Sequence, residues 1–137
     1  MAETILCDTT IVSILLKVSK VHDHRKAAIT KGLNGKIPLI SFVTVAELVF
    51  WSNKNGWGQK KKDEMEKQLR AFGILTPTRA TSDLWAEIKL ECQRAGCDMS
   101  KKQNDLWIAA SAREFGLSLA SDDADFDGVQ GLTRISL

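Results

Sequence analysis

Short apolar runs alternate with longer segments of helical periodicity along this chain, and that alternation limits the folds it can adopt. Each apolar run is too short for an average helix but long enough for a buried strand. Strands that alternate with helices are typical of a parallel sheet covered by helices on both faces. The sequence therefore predicts an α/β fold with about five parallel strands, at residues 4–7, 37–42, 74–76, 117–120 and 132–137.

The helices are predicted from apolar residues that recur on one face and from the residues that end each segment. In the first helix, Ile11, Ile14 and Leu15 fall on one face. Glycine is the usual residue just after a helix because it adopts the left-handed conformation without strain, as expected at Gly96 and Gly116. The predicted helices span residues 11–18, 22–33, 44–52, 60–71, 79–95 and 104–115, with a glycine-rich loop at 53–59.

Length and composition indicate one ordinary globular domain. A chain of 137 residues with 44% apolar residues can bury a sizeable core, so we expect a single domain over residues 1–137. The net charge of +2 excludes a histone-like polycation. No apolar run is long enough to cross a bilayer, and the start of the chain lacks the pattern of a signal peptide. The three cysteines have no metal-binding spacing, so we expect reduced thiols in a cytoplasmic protein.

Acidic residues stand at positions that belong to one end of the predicted sheet. The carboxyl ends of parallel strands meet at a single edge, so we expect these side chains to lie close together. Clustered carboxylates repel one another and are normally neutralised by a divalent cation, and Mg²⁺ or Mn²⁺ prefers oxygen ligands. The residues are Asp8 after the first strand, Glu47 in the helix after the second, Asp105 at the start of the last helix, and Asp122, Asp123 and Asp125 after the fourth strand.

A purely structural explanation exists for each of these residues. Asp8 is suited to capping the first helix, and Thr44 with Glu47 matches the spacing of a capping box. Asp105 is placed to interact with a helix dipole, and Asp123 to form an Asx-turn. Helix N-termini occur at this edge in any parallel α/β protein. Both interpretations therefore stay open at the level of residue patterns.

Three blocks of the sequence resemble a known family. They are LCDTTIVSIL at 6–15, ISFVTVAEL at 40–48 and NDLWIAASAREFGLSLASDDADFDGV at 104–129. In this order they resemble a PIN domain, and more narrowly the VapC-type toxin ribonucleases of type II toxin–antitoxin pairs. The resemblance covers essentially the whole chain, and the third block is its most specific part. It implies a metal-dependent endoribonuclease that hydrolyses RNA phosphodiester bonds.

The resemblance also implies roles for individual residues. The acidic quartet corresponds to Asp8, Glu47, Asp105 and Asp123. Of these, Asp8, Asp105 and Asp123 are the expected ligands of Mg²⁺ or Mn²⁺, while Glu47 either ligates the ion or orients the attacking water. The expected accessory residues are the hydroxyls of Thr9 and Ser121, the neighbouring Asp125, and Asp122.

Two positions depart from the family's pattern. Thr10 stands where members often have asparagine, which puts one supporting hydrogen bond in doubt. Asp122 is an additional carboxylate beside Asp123, so that either of the two could face the metal. The spacing to Asp125 and Phe126 favours Asp123.

The candidate RNA-binding segment is the basic loop at residues 53–62. Its lysines can contact phosphates, although such a run is also typical of a solvated helix start. Lys101 and Lys102 form a further basic pair, and Trp51 and Trp57 can stack on bases. The resemblance further implies a homodimer and a cognate antitoxin as partners, and no membrane. The RNA-binding candidates are Lys54, Trp57, Lys60, Lys61 and Lys62.

Other functions fit the sequence less well. A phospho-acceptor receiver domain needs an acidic pair after the first strand, where this chain has only Asp8, and a phosphatase of the DxDx[TV] type is excluded by Asp8-Thr9-Thr10. Two alternatives remain within the family. One is an RNA-processing nuclease outside a toxin–antitoxin pair, and the other is a non-catalytic domain that binds RNA or protein.

Overall fold

Five parallel strands form the centre of the structure, a computed structural model that describes residues 2–16 and 23–137. Their order in the sheet is β3-β2-β1-β4-β5, and every neighbouring pair is parallel. The predicted α/β fold is therefore confirmed. The strands are β1 (Glu3–Cys7), β2 (Lys36–Ser41), β3 (Gly73–Leu75), β4 (Ser118–Ala120) and β5 (Arg134–Ile135).

The helices follow the predicted pattern closely. Gly96 and Gly116 adopt φ of 72° and 62° directly after two of them, as their positions predicted. Of the predicted helix residues, 17, 18 and 22 lie outside the described part of the chain. No helix among the described residues has the length and apolar character needed to cross a bilayer. The helices are α1 (Thr9–Leu15), α2 (Asp23–Gly32), α3 (Phe42–Lys54), α4 (Gln59–Leu69), α5 (Arg79–Ala95) and α6 (Gln103–Phe115).

The central strand β1 divides its side chains between two cores. Ile5 and Cys7 are fully buried with apolar residues of α1, α2, α3 and α4. Leu6 is fully buried in a second cluster with residues of α5 and α6, among them Ile88 and Leu106. Successive side chains of a strand point to opposite faces of the sheet. The alternation in β1 thus places helices on both faces.

The side of the sheet on which successive strands are added changes at β1, and this change positions the site. β2 and β3 are added on one side of β1, whereas β4 and β5 are added on the other. In such sheets a crevice opens beyond the carboxyl ends of the two strands at the switch point. The N–H of Asp8 donates to the carbonyl of Ala120 at 3.1 Å, so the residues that follow β1 and β4 lie side by side.

Two predicted details are wrong. α3 begins at Phe42, two residues earlier than expected, because the side chain of Ser41 caps it by accepting from the N–H of Val43 at 3.1 Å. Thr44 consequently lies inside the helix, and the capping box expected between Thr44 and Glu47 does not form. β5 is only two residues long, shorter than the expected strand at 132–137.

Candidate active site

A pocket of about 340 Å³ occupies the crevice beyond the carboxyl ends of β1 and β4. Four of the residues that line it are acidic, and they come from four separate segments of the chain. The segments are the β1–α1 junction, the first half of α3, the first turn of α6 and the loop after β4. The four acidic residues are Asp8, Glu47, Asp105 and Asp123.

Asp8 is buried at the base of the pocket, with only 6% of its surface exposed. One carboxylate oxygen caps α1 by accepting from the N–H of Ile11 at 2.9 Å, and the other accepts from the hydroxyl of Ser121. Burial raises the pKa of Asp8, and the charges of Asp123 and Glu47 act in the same direction against these hydrogen bonds. The residue is thus both a helix cap and part of the acidic group.

Glu47 is oriented by a pair of threonines. The Thr9 hydroxyl donates to a carboxylate oxygen of Glu47 at 2.8 Å, and it lies 2.9 Å from the hydroxyl of Thr44. A hydroxyl has one proton to donate, so Thr44 donates to Thr9. Residues from the start of α1 and from α3 therefore hold this carboxylate in one direction.

Ser121 and the loop after it orient Asp123. The buried Ser121 hydroxyl accepts from the N–H of Asp123 at 3.0 Å while it donates to Asp8. Asp123 accepts from the N–H of Asp125 at 2.9 Å, which forms the predicted Asx-turn. Partial burial favours the neutral form of Asp123, but the hydrogen bonds from Asp125 and Lys102 outweigh it and lower its pKa.

Asp105 faces the same pocket from the first turn of α6. Burial raises the pKa of Asp105 to about 6. The charge of Lys102 opposes this rise, whereas the charges of Asp123, Glu47 and Asp8 add to it. The carboxylate is close enough to the other three to be repelled by all of them.

The remaining acidic residues of the β4 loop lie outside the pocket lining. Asp125 forms an ion pair with Lys102 at 2.6 Å, and the same ammonium contacts Asp123 at 2.9 Å. Asp122 is exposed, pairs with Arg25 of α2 and accepts from the hydroxyl of Ser136. Of the two neighbouring carboxylates that the sequence left as alternatives, Asp123 lines the pocket and Asp122 does not.

A comparison with models of protein families assigns the chain to one of them. The model of the PIN domain matches residues 5–132. The chain belongs to the PIN domain family. The resemblance that the three sequence blocks indicated is confirmed at the level of the family.

Solved structures with the same fold as this PIN domain include several complexes. VapBC2 from Rickettsia felis, bound to a DNA fragment from its promoter, has a TM-score of 0.78 at 17% identity over 98% of each chain. DNA-bound VapBC from Salmonella typhimurium has a TM-score of 0.78 at 18% identity, over 99% of this chain and 98% of that one. A toxin–antitoxin complex from Klebsiella pneumoniae has a TM-score of 0.68 at 20% identity, over 94% of this chain and 95% of that one. No curated protein sequence matches.

The predicted RNA-binding residues of this PIN domain lie on α3, α4 and the loop between them. Lys54, Lys60 and Lys61 are exposed, and Lys62 donates to the side chain of Asn53 at 2.8 Å. Trp57 is half-buried against the core, and the ammonium of Lys61 lies 3.9 Å from the centre of its ring. Trp51, one turn after Glu47, is exposed and lines the pocket beside the carboxylates.

The donor atoms of the pocket suit a hard divalent cation. Among the residues that the structure describes, its lining supplies carboxylates and the hydroxyl-bearing residues Thr9, Thr10 and Ser13, and none of these lining residues offers sulfur or imidazole. Burial raises the pKa of Asp8 and of Asp105, and repulsion from the neighbouring carboxylates adds to the rise; a bound cation would relieve this repulsion. Within residues 2–16 and 23–137, no three acidic, histidine or cysteine side chains lie close enough together to hold a metal ion as they stand. The chemistry of the donors therefore fits a metal, although the carboxylates stand apart.

Sequence reasoning placed Lys102 in a basic cluster and missed its position beside the acidic residues of the site. Its only signal in the sequence is its position three residues before Asp105. One helical turn separates residues at this spacing, so the ammonium group can reach the carboxylates of the neighbouring β4 loop.

We expect the stability of the metal-free PIN domain to fall as the pH rises through the titration of Asp105. Its pKa is raised from 3.8 to about 6, so between these values the folded protein binds a proton that the unfolded chain has released. Asp105→Asn removes the carboxylate whose ionisation destabilises the folded protein. In EDTA, the Tm of the variant should exceed that of the wild type by a few degrees at pH 7.5, and by much less at pH 4.

The control is Asp98→Asn, which changes an exposed carboxylate outside the pocket. It should shift the Tm equally at both pH values. An Asp105→Asn shift that does not depend on pH would contradict the assignment of a destabilising charge to this residue.

Proposed function

We propose that this protein is a metal-dependent endoribonuclease and the toxin of a toxin–antitoxin pair that a cognate antitoxin neutralises. The observation that carries the proposal is the meeting of four carboxylates, from four distant segments, in one pocket of a PIN fold. A structural protein has no need for four acidic groups whose charges oppose one another. The likeness of the fold to VapBC structures and to a toxin–antitoxin complex supports the more specific part.

In this proposal Asp8, Asp105 and Asp123 hold Mg²⁺ or Mn²⁺ beside the scissile phosphate. The bound ion would supply acidified water and charge compensation for the phosphoryl oxygens. Asp8 is fixed by the Ile11 amide and the Ser121 hydroxyl, and Asp123 by the Asp125 amide. Ligands held in this way need little reorganisation during the reaction, which favours catalysis.

Glu47 is the proposed general base or an additional ligand. Its carboxylate is fixed by Thr9, which in turn accepts from Thr44. A carboxylate that already accepts one hydrogen bond keeps other lone pairs for a water molecule. The hydroxyls of Thr9 and Ser121 thus donate hydrogen bonds to the carboxylates of Glu47 and Asp8. Asp125 pairs with Lys102, and its N–H donates to Asp123.

We assign RNA binding to the surface that continues from the pocket along α3. Glu47, Trp51 and Lys54 lie four and three residues apart, so they share one face of the helix. Lys60, Lys61 and Lys62 add positive charge at the start of α4. An RNA strand that crosses the pocket would meet acidic groups at the reacting phosphate and basic groups along α3 and α4. Of the two candidate tryptophans, Trp51 is the proposed stacking residue, because Trp57 packs against the core.

The deciding experiment is cleavage of defined RNA oligonucleotides by the purified protein. We expect internal cleavage with Mg²⁺ or Mn²⁺, none in excess EDTA, and recovery when the ion is restored. A single-stranded DNA of the same sequence serves as the substrate control and should stay intact. RNA cleavage that ignores EDTA would contradict the metal-dependent proposal, and an RNA that binds without being cut would favour the non-catalytic alternative.

The toxin assignment needs a separate test. Production of the wild type should arrest growth of a bacterial host, and co-production of a small protein encoded beside it should prevent the arrest. Native mass spectrometry of the two proteins tests both the antitoxin complex and the proposed homodimer. A protein that cuts RNA but neither arrests growth nor binds such a partner would be an RNA-processing nuclease instead.

A further inference from the structure

Lys102 places one positive charge between two carboxylates of the β4 loop. Its ammonium lies 2.9 Å from an oxygen of Asp123 and 2.6 Å from an oxygen of Asp125. Lys102 immediately precedes α6, whereas both acidic residues follow β4. The ion pairs therefore join two elements that each contribute a pocket carboxylate, namely Asp105 and Asp123.

The charge balance of the pocket makes this contact important. Four carboxylates line the pocket, and among the described ion pairs only that of Lys102 reaches one of them. The Lys102 side chain is 36% exposed, as is that of Asp123, so water partly screens an attraction that acts over 2.9 Å. An ion bound by Asp123 would compete with this ammonium for the same carboxylate.

We propose that Lys102 is a positioning residue that compensates the acidic pocket when no ion is bound and competes with the divalent cation for Asp123. The inference rests on the proposed function. It follows from two effects of the same charge. The ammonium offsets repulsion among the carboxylates, which stabilises the ion-free protein, and it lowers the affinity of the pocket for a further cation.

The test combines ion binding and thermal unfolding of the full chain, both measured without substrate. Lys102→Met keeps the length of the side chain and removes its charge. We expect this variant to bind Mn²⁺ about tenfold more tightly at low ionic strength, measured by titration calorimetry. Its Tm in EDTA should be lower than that of the wild type, and saturating Mn²⁺ should remove most of the difference.

Two further variants separate charge from structure. Lys102→Arg keeps the positive charge and should restore the wild-type Mn²⁺ affinity and Tm in EDTA. Lys101→Met removes a neighbouring exposed lysine that forms no ion pair within the described residues, and should change neither. The Lys101 variant thus controls for the general loss of one positive charge.

The possible failures are distinct. A wild type that binds no Mn²⁺ would overturn the proposed function, and this inference with it. A wild type that binds Mn²⁺ with an affinity that Lys102→Met leaves unchanged or weakens would overturn this inference alone. An equal loss of Tm in EDTA and in Mn²⁺ would show that Lys102 is only structural. Weaker RNA binding by Lys102→Met at unchanged ion affinity would assign the ammonium to the substrate instead.

Discussion

Replacing Asp8 by asparagine is expected to lower the rate of RNA cleavage by about a thousandfold, equivalent to roughly 4 kcal/mol of transition-state stabilisation. Asparagine has nearly the same shape, and its side-chain oxygen can still cap α1 by accepting from Ile11. The substitution removes the most buried negative charge of the pocket. We therefore expect an intact fold with a Tm in EDTA no lower than that of the wild type. A gel-based cleavage assay with Mn²⁺ and a circular dichroism melt measure the two quantities.

Asp122→Asn is the matched control for this experiment. It makes the same chemical change in the same acidic region, but Asp122 is exposed and pairs with Arg25 away from the pocket lining. The control should keep activity within about twofold of the wild type, because an exposed charge that contacts neither ligand nor substrate contributes little. Full metal-dependent activity in Asp8→Asn would refute the role of this carboxylate. Loss of activity in both variants would mean that the effect is not specific to the carboxylates that line the pocket.

Replacing Ile5 by alanine is expected to lower the free energy of unfolding by about 2–5 kcal/mol. Ile5 is fully buried in the central strand, where it contributes to the core beneath α1 and α2. The truncation removes apolar contacts and leaves a cavity that a strand paired on both sides cannot close. Since domains of this size are stable by only about 5–15 kcal/mol, the loss is a large fraction of the total. Urea denaturation in EDTA measures it without a contribution from bound ion.

Ile37→Ala provides the comparison within the same sheet. Ile37 belongs to the neighbouring strand β2, but 48% of its surface is exposed. We expect its truncation to cost less than about 1 kcal/mol, because much of the side chain stays in water in the folded protein. Equal losses in the two variants would mean that the burial of β1 does not dominate the stability of the sheet.

The residue pattern was sufficient for the fold class because it expresses local periodicity. Alternating strands and helices predicted the parallel sheet, and Gly96 and Gly116 marked two helix ends correctly. Boundaries that depend on competing caps were not predictable in this way. Ser41 and Thr44 both suit the start of α3. In the structure Ser41 caps the helix, and the hydroxyl of Thr44 bonds to that of Thr9 instead.

The same distinction between local pattern and tertiary packing applies to the candidate site. Sequence spacing placed Asp8, Glu47, Asp105 and the acidic residues after β4 at one edge of a parallel sheet. The resemblance to the family then indicated Asp123 as the fourth member of the quartet. Spacing did not separate the functional interpretation from the structural one. Asp8 caps α1 and lines the pocket at the same time, so the two interpretations are compatible for this residue.

The amino-acid sequence by itself determined the α/β class, the PIN resemblance and the acidic residues that the pocket contains. Only the tertiary structure decided that Asp123 rather than Asp122 lines the pocket, that Lys102 neutralises part of its charge, and that Trp57 packs inward. The physical reason is the range of the interactions. Helix and strand periodicity depends on residues a few positions apart, whereas the direction of a loop side chain and its ion pairs depend on elements brought together from distant parts of the chain.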